Sequence, residues 1–238
     1  MNTITANGLT VRITGGADGE GGGDGPLVVL LHGYGAPGDD LVPLGRYLAS
    51  RVGPTVRCAF PAAPRELAGG FMPMRMWWPI DGAALEAAIA AGTHRDRSRH
   101  VPPELHGVRE QFRGALEELQ ATLGASPEQT VLGGFSQGSM VSCDAVATGA
   151  PVAGLAVLSG TVLALQEWLP GFAQRDELPV FQSHGRQDPL LSFQQAEQLR
   201  DHLREAGHRV SWVPFDGQHE IPPVALAGLG EFVSGVCG

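Results

Sequence analysis

Positive charge is scarce in this chain. Sixteen lysine and arginine residues face twenty-five acidic ones, a formal net charge of −9. A general basic field of the kind that holds nucleic acid is therefore excluded, and adsorption on an anionic membrane is disfavoured. Long apolar runs are missing too, since no stretch approaches the ~20 residues of a membrane span. The N-terminus, Met1-Asn2-Thr3-Ile4-Thr5, lacks a basic region followed by an apolar core, so no signal peptide is expected. Cysteine is rare: Cys58, Cys143 and Cys237 are odd in number and widely scattered. That spacing makes neither a metal knuckle nor a disulfide framework, and free thiols in a reducing cytoplasm are the expectation. Repeats and linker-like stretches are absent, so residues 1–238 read as one domain, and a homodimer stays open.

What is present suits a globular α/β protein. Hydrophobic residues make up 43% of the 238, enough for a sizeable core. Residues 3–14 alternate as an edge strand, and the seven glycines between Gly15 and Gly25 predict a flexible surface loop. Leu27 to Leu31 is a continuous apolar run, as a central parallel strand requires. A helix to about Val52, capped by Asp39 or Asp40, and a strand at 55–60 follow. Residues 61–103 break the rhythm and read as a flap-like insert. Beyond it come a helix at 104–123 closed by Gly124, a strand before residue 134, and a helix at 137–148. Then follow a strand at 154–159, a loop with Trp168 and Pro170, a strand at 179–184, a helix at 192–206, a strand at 209–213 and a helix at 221–236. Strands alternating with helices imply a mostly parallel sheet with helices on both faces.

Chemistry concentrates at Gly134-Phe135-Ser136-Gln137-Gly138, a G-x-S-x-G pattern between a strand and a helix. Such a turn lifts a serine hydroxyl clear of the sheet, and its glycines keep Cβ atoms out of the tight bend. A serine needs a histidine to take its proton and an acid to hold that histidine. His184, His202, His208 and His219 follow Ser136. His202 falls inside a helix and His208 at the wrong end of a strand, while His184 leaves no room for an acid between it and the elbow. His219 lies just after the last strand and Asp188 just after the preceding one, so two parallel strands deliver both to the carboxyl edge where Ser136 sits. Asp216, in Asp-Gly, reads as a turn former. Two backbone N–H donors are needed for an oxyanion hole. Gln137, next after the serine, offers one, and Tyr34, in the loop after Leu31, offers the other.

These residues together resemble the carboxylesterase/acyl-protein thioesterase branch of the α/β-hydrolases. The matching pieces are Leu30-Leu31-His32-Gly33-Tyr34-Gly35, Gly134-Phe135-Ser136-Gln137-Gly138-Ser139-Met140, His184-Gly185-Arg186-Gln187-Asp188-Pro189 and Gly217-Gln218-His219-Glu220-Ile221. The resemblance implies an α/β-hydrolase fold, a Ser136–Asp188–His219 triad, an oxyanion hole at the Tyr34 and Gln137 amides, and neither metal nor organic cofactor. It also implies that Met74 to Ile80 line an acyl pocket, with Met76, Trp77, Trp78 and Leu190 as substrate contacts. The chain departs from the family pattern at Tyr34-Gly35-Ala36, at Pro79 and in the charged insert from Gly82 to Pro103. The expected activity is cleavage of small or medium carboxylic esters, with thioesters as a further option, through an acyl-enzyme on Ser136. A lysophospholipase, a peptide or amide hydrolase and a catalytically silent binding protein are the alternatives. The Met72, Met74, Met76 stripe and the two tryptophans serve either a pocket wall or core packing. Arg75, Arg95, Arg97 and Arg99 either receive a substrate carboxylate or phosphate or form a solvated loop.

Overall fold

The middle strands are apolar on both faces, and the structure covers both. In Leu27–Leu31 the side chains of Leu27, Val29 and Leu31 join one core and those of Val28 and Leu30 join the other. The computed structural model describes residues 1–67 and 73–237. The first part of the chain forms β1 (Asn2–Ala6), β2 (Leu9–Gly15), β3 (Leu27–Leu31), α1 (Val42–Val52), β4 (Arg57–Pro61), β5 (Arg65–Glu66), β6 (Arg75–Met76), α2 (Gly82–Ala90) and α3 (Leu105–Leu123). Then come β7 (Thr130–Phe135), α4 (Gln137–Ala147), β8 (Gly154–Leu158), α5 (Leu165–Ala173), β9 (Pro179–Gly185), α6 (Phe193–Glu205), β10 (Arg209–Phe215) and α7 (Pro223–Cys237).

Eight strands make one sheet in the order β1-β2-β4-β3-β7-β8-β9-β10, parallel from β4 to β10. Leu48 of α1 and Leu229 and Val233 of α7 cover one face. Phe112 of α3, Val141 of α4, Trp168 of α5 and Leu199 of α6 cover the other. This is the doubly covered, mostly parallel sheet of an α/β-hydrolase fold. Its carboxyl edge collects the turns after β3, β7, β9 and β10, which is where ligands meet such sheets.

Several local expectations need correction. Residues 3–14 are a hairpin rather than one strand, because Asn7 (φ 42°) and Gly8 (φ 78°) make the tight turn that Asn-Gly favours. The glycine-rich segment is folded: Asp18 Oδ1 accepts from the Glu20 and Gly22 N–H groups, and the buried Arg57 donates to the Gly25 and Leu123 carbonyls. Helix α1 begins after Leu41 with no side-chain cap from either aspartate. The stretch around Pro170 is α5, since burial of Trp168 and Phe172, each 1% exposed, outweighs the proline's missing N–H. The insert contains α2, capped by Asp81 Oδ1 accepting from Ala84 N at 3.0 Å. Phe71 and Met72, part of the expected apolar stripe, lie outside the described residues.

One ion-pair network ties α3, α4 and α5 together. Arg109 donates through Nε to Asp144 Oδ2 at 2.8 Å and through Nη2 to Asp144 Oδ1 at 2.7 Å, and also to Glu167 Oε2 at 2.6 Å. The Trp168 indole N–H donates to the same Asp144 Oδ1 at 2.9 Å. Asp144 is 1% exposed, so removing its cation strands a buried carboxylate. Arg109→Met is expected to cost about 3–5 kcal/mol, read as a lower midpoint in urea unfolding followed by tryptophan fluorescence. A loss under about 1 kcal/mol would show that the pair adds nothing beyond a surface contact.

Candidate active site

Strand β7 ends at Phe135, helix α4 starts at Gln137, and Ser136 between them has φ 55° and ψ −120°. Such a conformation costs a non-glycine residue about 1–3 kcal/mol and persists only when its surroundings impose it. Here they do. Ser136 N donates to Leu158 O at 2.9 Å. Ser136 O accepts from Ser139 N at 3.1 Å, Met140 N at 3.3 Å and Ser139 Oγ at 2.6 Å. The flanking glycines are needed for close approach: a Cβ on Gly134 would lie 2.7 Å from Leu31 O, and one on Gly138 only 2.1 Å from it.

Asp188 sits past the end of β9 and His219 past the end of β10. The two turns interlock, with Arg186 N donating to Phe215 O at 2.9 Å and Gln187 N to Gly217 O at 3.0 Å. His219 Nδ1 donates to Asp188 Oδ2 at 2.6 Å. That fixes the tautomer and leaves Nε2 as the free basic nitrogen. Asp188 Oδ1 accepts from Leu190 N at 2.8 Å and Leu191 N at 3.0 Å. Burial raises the acid's pKa, but the bonds from His184 and His219 outweigh it and hold the carboxyl well below the usual carboxylate range. His219 and Ser136 line one cavity, and the His219 ring lies 4.7 Å from the Phe135 ring, centroid to centroid. Among the described residues no hydrogen bond joins Ser136 Oγ to the ring.

Tyr34 lies on the loop after β3 and Gln137 at the start of α4. Among the described residues neither backbone N–H donates to a protein acceptor. The Gly33–Tyr34 peptide is oriented by His32, whose Nδ1 lies 2.7 Å from Gly33 O and whose Nε2 accepts from Ala63 N at 2.9 Å. Only the neutral tautomer with the proton on Nδ1 satisfies both contacts. Because a trans peptide points its C=O and N–H in opposite directions, anchoring Gly33 O aims the Tyr34 N–H away from the buried imidazole. Gly33 and Tyr34 themselves line the cavity. The pair of amides is therefore free to receive a negatively charged oxygen.

The cavity measures about 150 Å³, and Ile80, Leu85, Phe135, Leu190 and Leu191 give it an apolar wall. Leu190, expected as a substrate contact, lines this cavity. The expected tryptophan wall does not form there, and Met76, Trp77 and Trp78 are not among the lining residues. Trp77 is fully buried: its Nε1 donates to His32 O at 3.0 Å, and its ring meets Phe112 edge-on at 6.1 Å. Trp78 is 3% exposed. Both are locked by the Gln137 side chain, whose Oε1 accepts from Trp77 N at 2.9 Å and whose Nε2 donates to Trp78 O at 2.8 Å. Met76 belongs to the small β5–β6 ladder opposite Arg65.

Sequence reasoning missed three contributors. His184, passed over as a base, is a second partner of the acid: its Nε2 reaches Asp188 Oδ2 at 3.2 Å and Leu191 O at 3.0 Å. Its position four residues before the aspartate was the available signal. His32 and the side-chain carboxamide of Gln137 were the others, and only their surroundings reveal them. Asp216 stays outside, its side chain 85% exposed. Of the four arginines, Arg75 is engaged by Ala63 O at 2.8 Å and Glu66 Oε1 at 2.9 Å, whereas Arg95 and Arg97 line the cavity. No group of three His, Cys, Asp or Glu residues that could hold a metal ion occurs among the described residues.

Comparison with known proteins points in one direction. The profile of the phospholipase/carboxylesterase family matches residues 22–237. The chain is 28% identical over 191 residues to an acyl-protein thioesterase 1 of Kluyveromyces lactis, covering 76% of this chain and 78% of that one. It is 26% identical over 225 residues to the acyl-protein thioesterase 1 of Gibberella zeae, covering 87% and 88%. Among solved structures it resembles esterase PE8, with TM-score 0.80, 25% identity and coverage of 96% and 99%. The Bacillus cereus carboxylesterase shares the fold, with TM-score 0.66, 18% identity and coverage of 96% and 94%.

The tautomer of His32 makes stability depend on pH. Burial lowers its pKa from an ordinary value of 6.5, so the unfolded chain takes up a proton before the folded one does. Its contribution is complete above about pH 6.5 and is lost as pH falls from there through the lower folded value. The urea midpoint should therefore drop between pH 7.5 and 5.5, and less steeply in His32→Gln. Identical slopes in the two proteins would show that His32 is not the group being titrated.

Proposed function

The chain belongs to the phospholipase/carboxylesterase family and cleaves esters or thioesters, and on that premise we propose that Ser136, His219 and Asp188 carry the reaction on short-chain substrates. The single observation that carries this reading is the 2.6 Å bond from His219 Nδ1 to Asp188 Oδ2 beside a cavity that the strained Ser136 also lines.

Ser136 Oγ attacks the acyl carbon while His219 Nε2 takes its proton. In an unliganded enzyme that hydrogen bond is often long, and it tightens as substrate fills the site. Asp188 stays ionised, holds the ring and stabilises its cationic form. The Tyr34 and Gln137 amides receive the developing oxyanion. His219 returns its proton to the departing alkoxide or thiolate, and a water molecule, activated by the same imidazole, releases the acid.

Chain length follows from volume. A cavity of about 150 Å³ encloses a group of roughly the size of benzene, which supports short acyl chains over the long chains of lipids. We also read the enzyme as cytoplasmic. Cys58, Cys143 and Cys237 are free thiols, and among the described residues no helix is long and apolar enough to cross a membrane.

A fluorophosphonate probe is expected to label wild-type protein but not Ser136→Ala. The Ser136→Ala and His219→Ala proteins should each lose on the order of 10⁴-fold or more in kcat, and Asp188→Asn about 10²- to 10⁴-fold. Across p-nitrophenyl esters kcat/KM should peak at about four to six acyl carbons. Full activity in Ser136→Ala would end the mechanism, whereas a peak at palmitate would end only the claim about chain length.

A further inference from the structure

The insert places two cations where an ester's neutral groups do not need them. Arg95 and Arg97 line the same cavity as Ser136 and His219. Arg97 is half-buried and Arg95 exposed, and among the described residues neither guanidinium donates a hydrogen bond or has an ion-pair partner within 4.0 Å. The nearby acids do not answer them: Asp81 is occupied as the cap of α2, and Asp96 accepts from Ser98 N at 2.9 Å. Arg95 and Arg97 also border a neighbouring groove that Asp81, Asp96 and Glu104 line, but those three acids do not line the cavity of Ser136 and His219. Burial and the like charge of Arg95 disfavour the cationic form of Arg97 and outweigh the opposite pull of Asp81, a cost that an arriving anion would reduce.

The segment is held rather than free. His94 Nε2 lies 2.8 Å from Asp188 O, tying the insert to the turn that carries the acid. Gln195 Nε2 donates to Arg95 O at 3.2 Å, Leu165 N to Ser98 O at 2.8 Å, and Ala164 N to His100 O at 3.1 Å. A solvated charged loop needs none of these anchors, and a preorganised binding loop does.

We propose that Arg95 and Arg97 form a carboxylate-binding subsite, so that the preferred substrates are short esters carrying a second, ionised carboxylate on the acyl chain or the leaving group. This inference rests on the Ser136-centred reading above. Planar guanidinium groups bind carboxylates by paired, charge-assisted hydrogen bonds, and the apolar wall of the same cavity takes the carbon chain between the two ends of the substrate.

Two pairs of substrates test it. The p-nitrophenyl half-ester of glutarate is set against p-nitrophenyl butyrate, with the charge on the acyl side. The p-carboxyphenyl ester of butyrate is set against the unsubstituted phenyl ester, with the charge on the leaving group. In wild type, kcat/KM for the charged member of at least one pair should exceed that of its neutral partner by roughly 10- to 100-fold at low salt. In Arg95→Gln/Arg97→Gln that ratio should fall to near one, and Arg→Lys at both positions should restore part of it. A ratio near one in wild type for both pairs, or a preference that survives the double substitution, overturns the proposal. A second measurement is independent of turnover. Titration calorimetry of the Ser136→Ala protein should show tighter binding of monomethyl glutarate than of dimethyl glutarate, with the difference lost when both arginines are glutamine. Equal binding of the two overturns the subsite even where hydrolysis fails for other reasons.

Discussion

Ser136 keeps its φ of 55° only because the backbone around it has no room to relax. Gly134 and Gly138 bring the end of β7 and the start of α4 against the end of β3, with Leu31 O close to both. The carbonyl of Ser136 is held by three donors from the first turn of α4. This one constraint sets the position of everything nearby. It puts the serine side chain above the sheet edge and turns the Gln137 amide toward the same space. It also fixes the Gln137 side chain, which in turn fixes the backbone of Trp77 and Trp78. The insert is thus anchored to the elbow through one glutamine.

Asp188 and His219 are placed by a different device. β9 and β10 are parallel neighbours in register from Arg209 opposite Pro179 to Phe215 opposite Gly185. Their following turns leave the sheet side by side and are cross-linked by backbone hydrogen bonds. The Ser159 hydroxyl adds a third anchor by donating to Glu220 O at 3.1 Å. Asp188 therefore reaches His219 across 31 residues of sequence because two strands end at the same level, not because either loop is long. The carboxylate accepts three hydrogen bonds and has His184 Nε2 at 3.2 Å, so it has no freedom to turn away from the imidazole.

Much of this was legible in the residue order. Apolar runs such as Leu27 to Leu31 announce strands covered on both faces, and a G-x-S-x-G between a strand and a helix announces the elbow. The order serine, aspartate, histidine at three strand ends follows from the same periodicities. What was not legible depends on contacts between distant segments. Trp77 has the look of a pocket residue, yet its indole finds a backbone carbonyl at the end of β3 and an aromatic neighbour in α3. Nothing local to Met76-Trp77-Trp78 encodes that. Helix α5 was hidden by Pro170, whose local penalty is visible in sequence, while the buried partners of Trp168 and Phe172 are not. His184 was misread because spacing was tested for a base and not for a second donor to the acid.

On the proposed reading, the insert can set specificity without touching Ser136, Asp188 or His219. Helix α2 has no buried residue, yet Leu85 and Ala88 on it line the cavity. Thr93, His94, Arg95 and Arg97 extend the wall, and the segment is pinned to the turn of Asp188 and to α6. A change in these residues alters the cavity wall while the elbow and the Asp188–His219 pair keep their own anchors. An apolar surface facing an acyl carbon gains little discrimination from one more methylene, about 1–3 kcal/mol. An unmatched cation discriminates more sharply, because a neutral substrate leaves it desolvated without a partner. In the proposed subsite, the choice between substrates of equal length therefore falls to the two arginines.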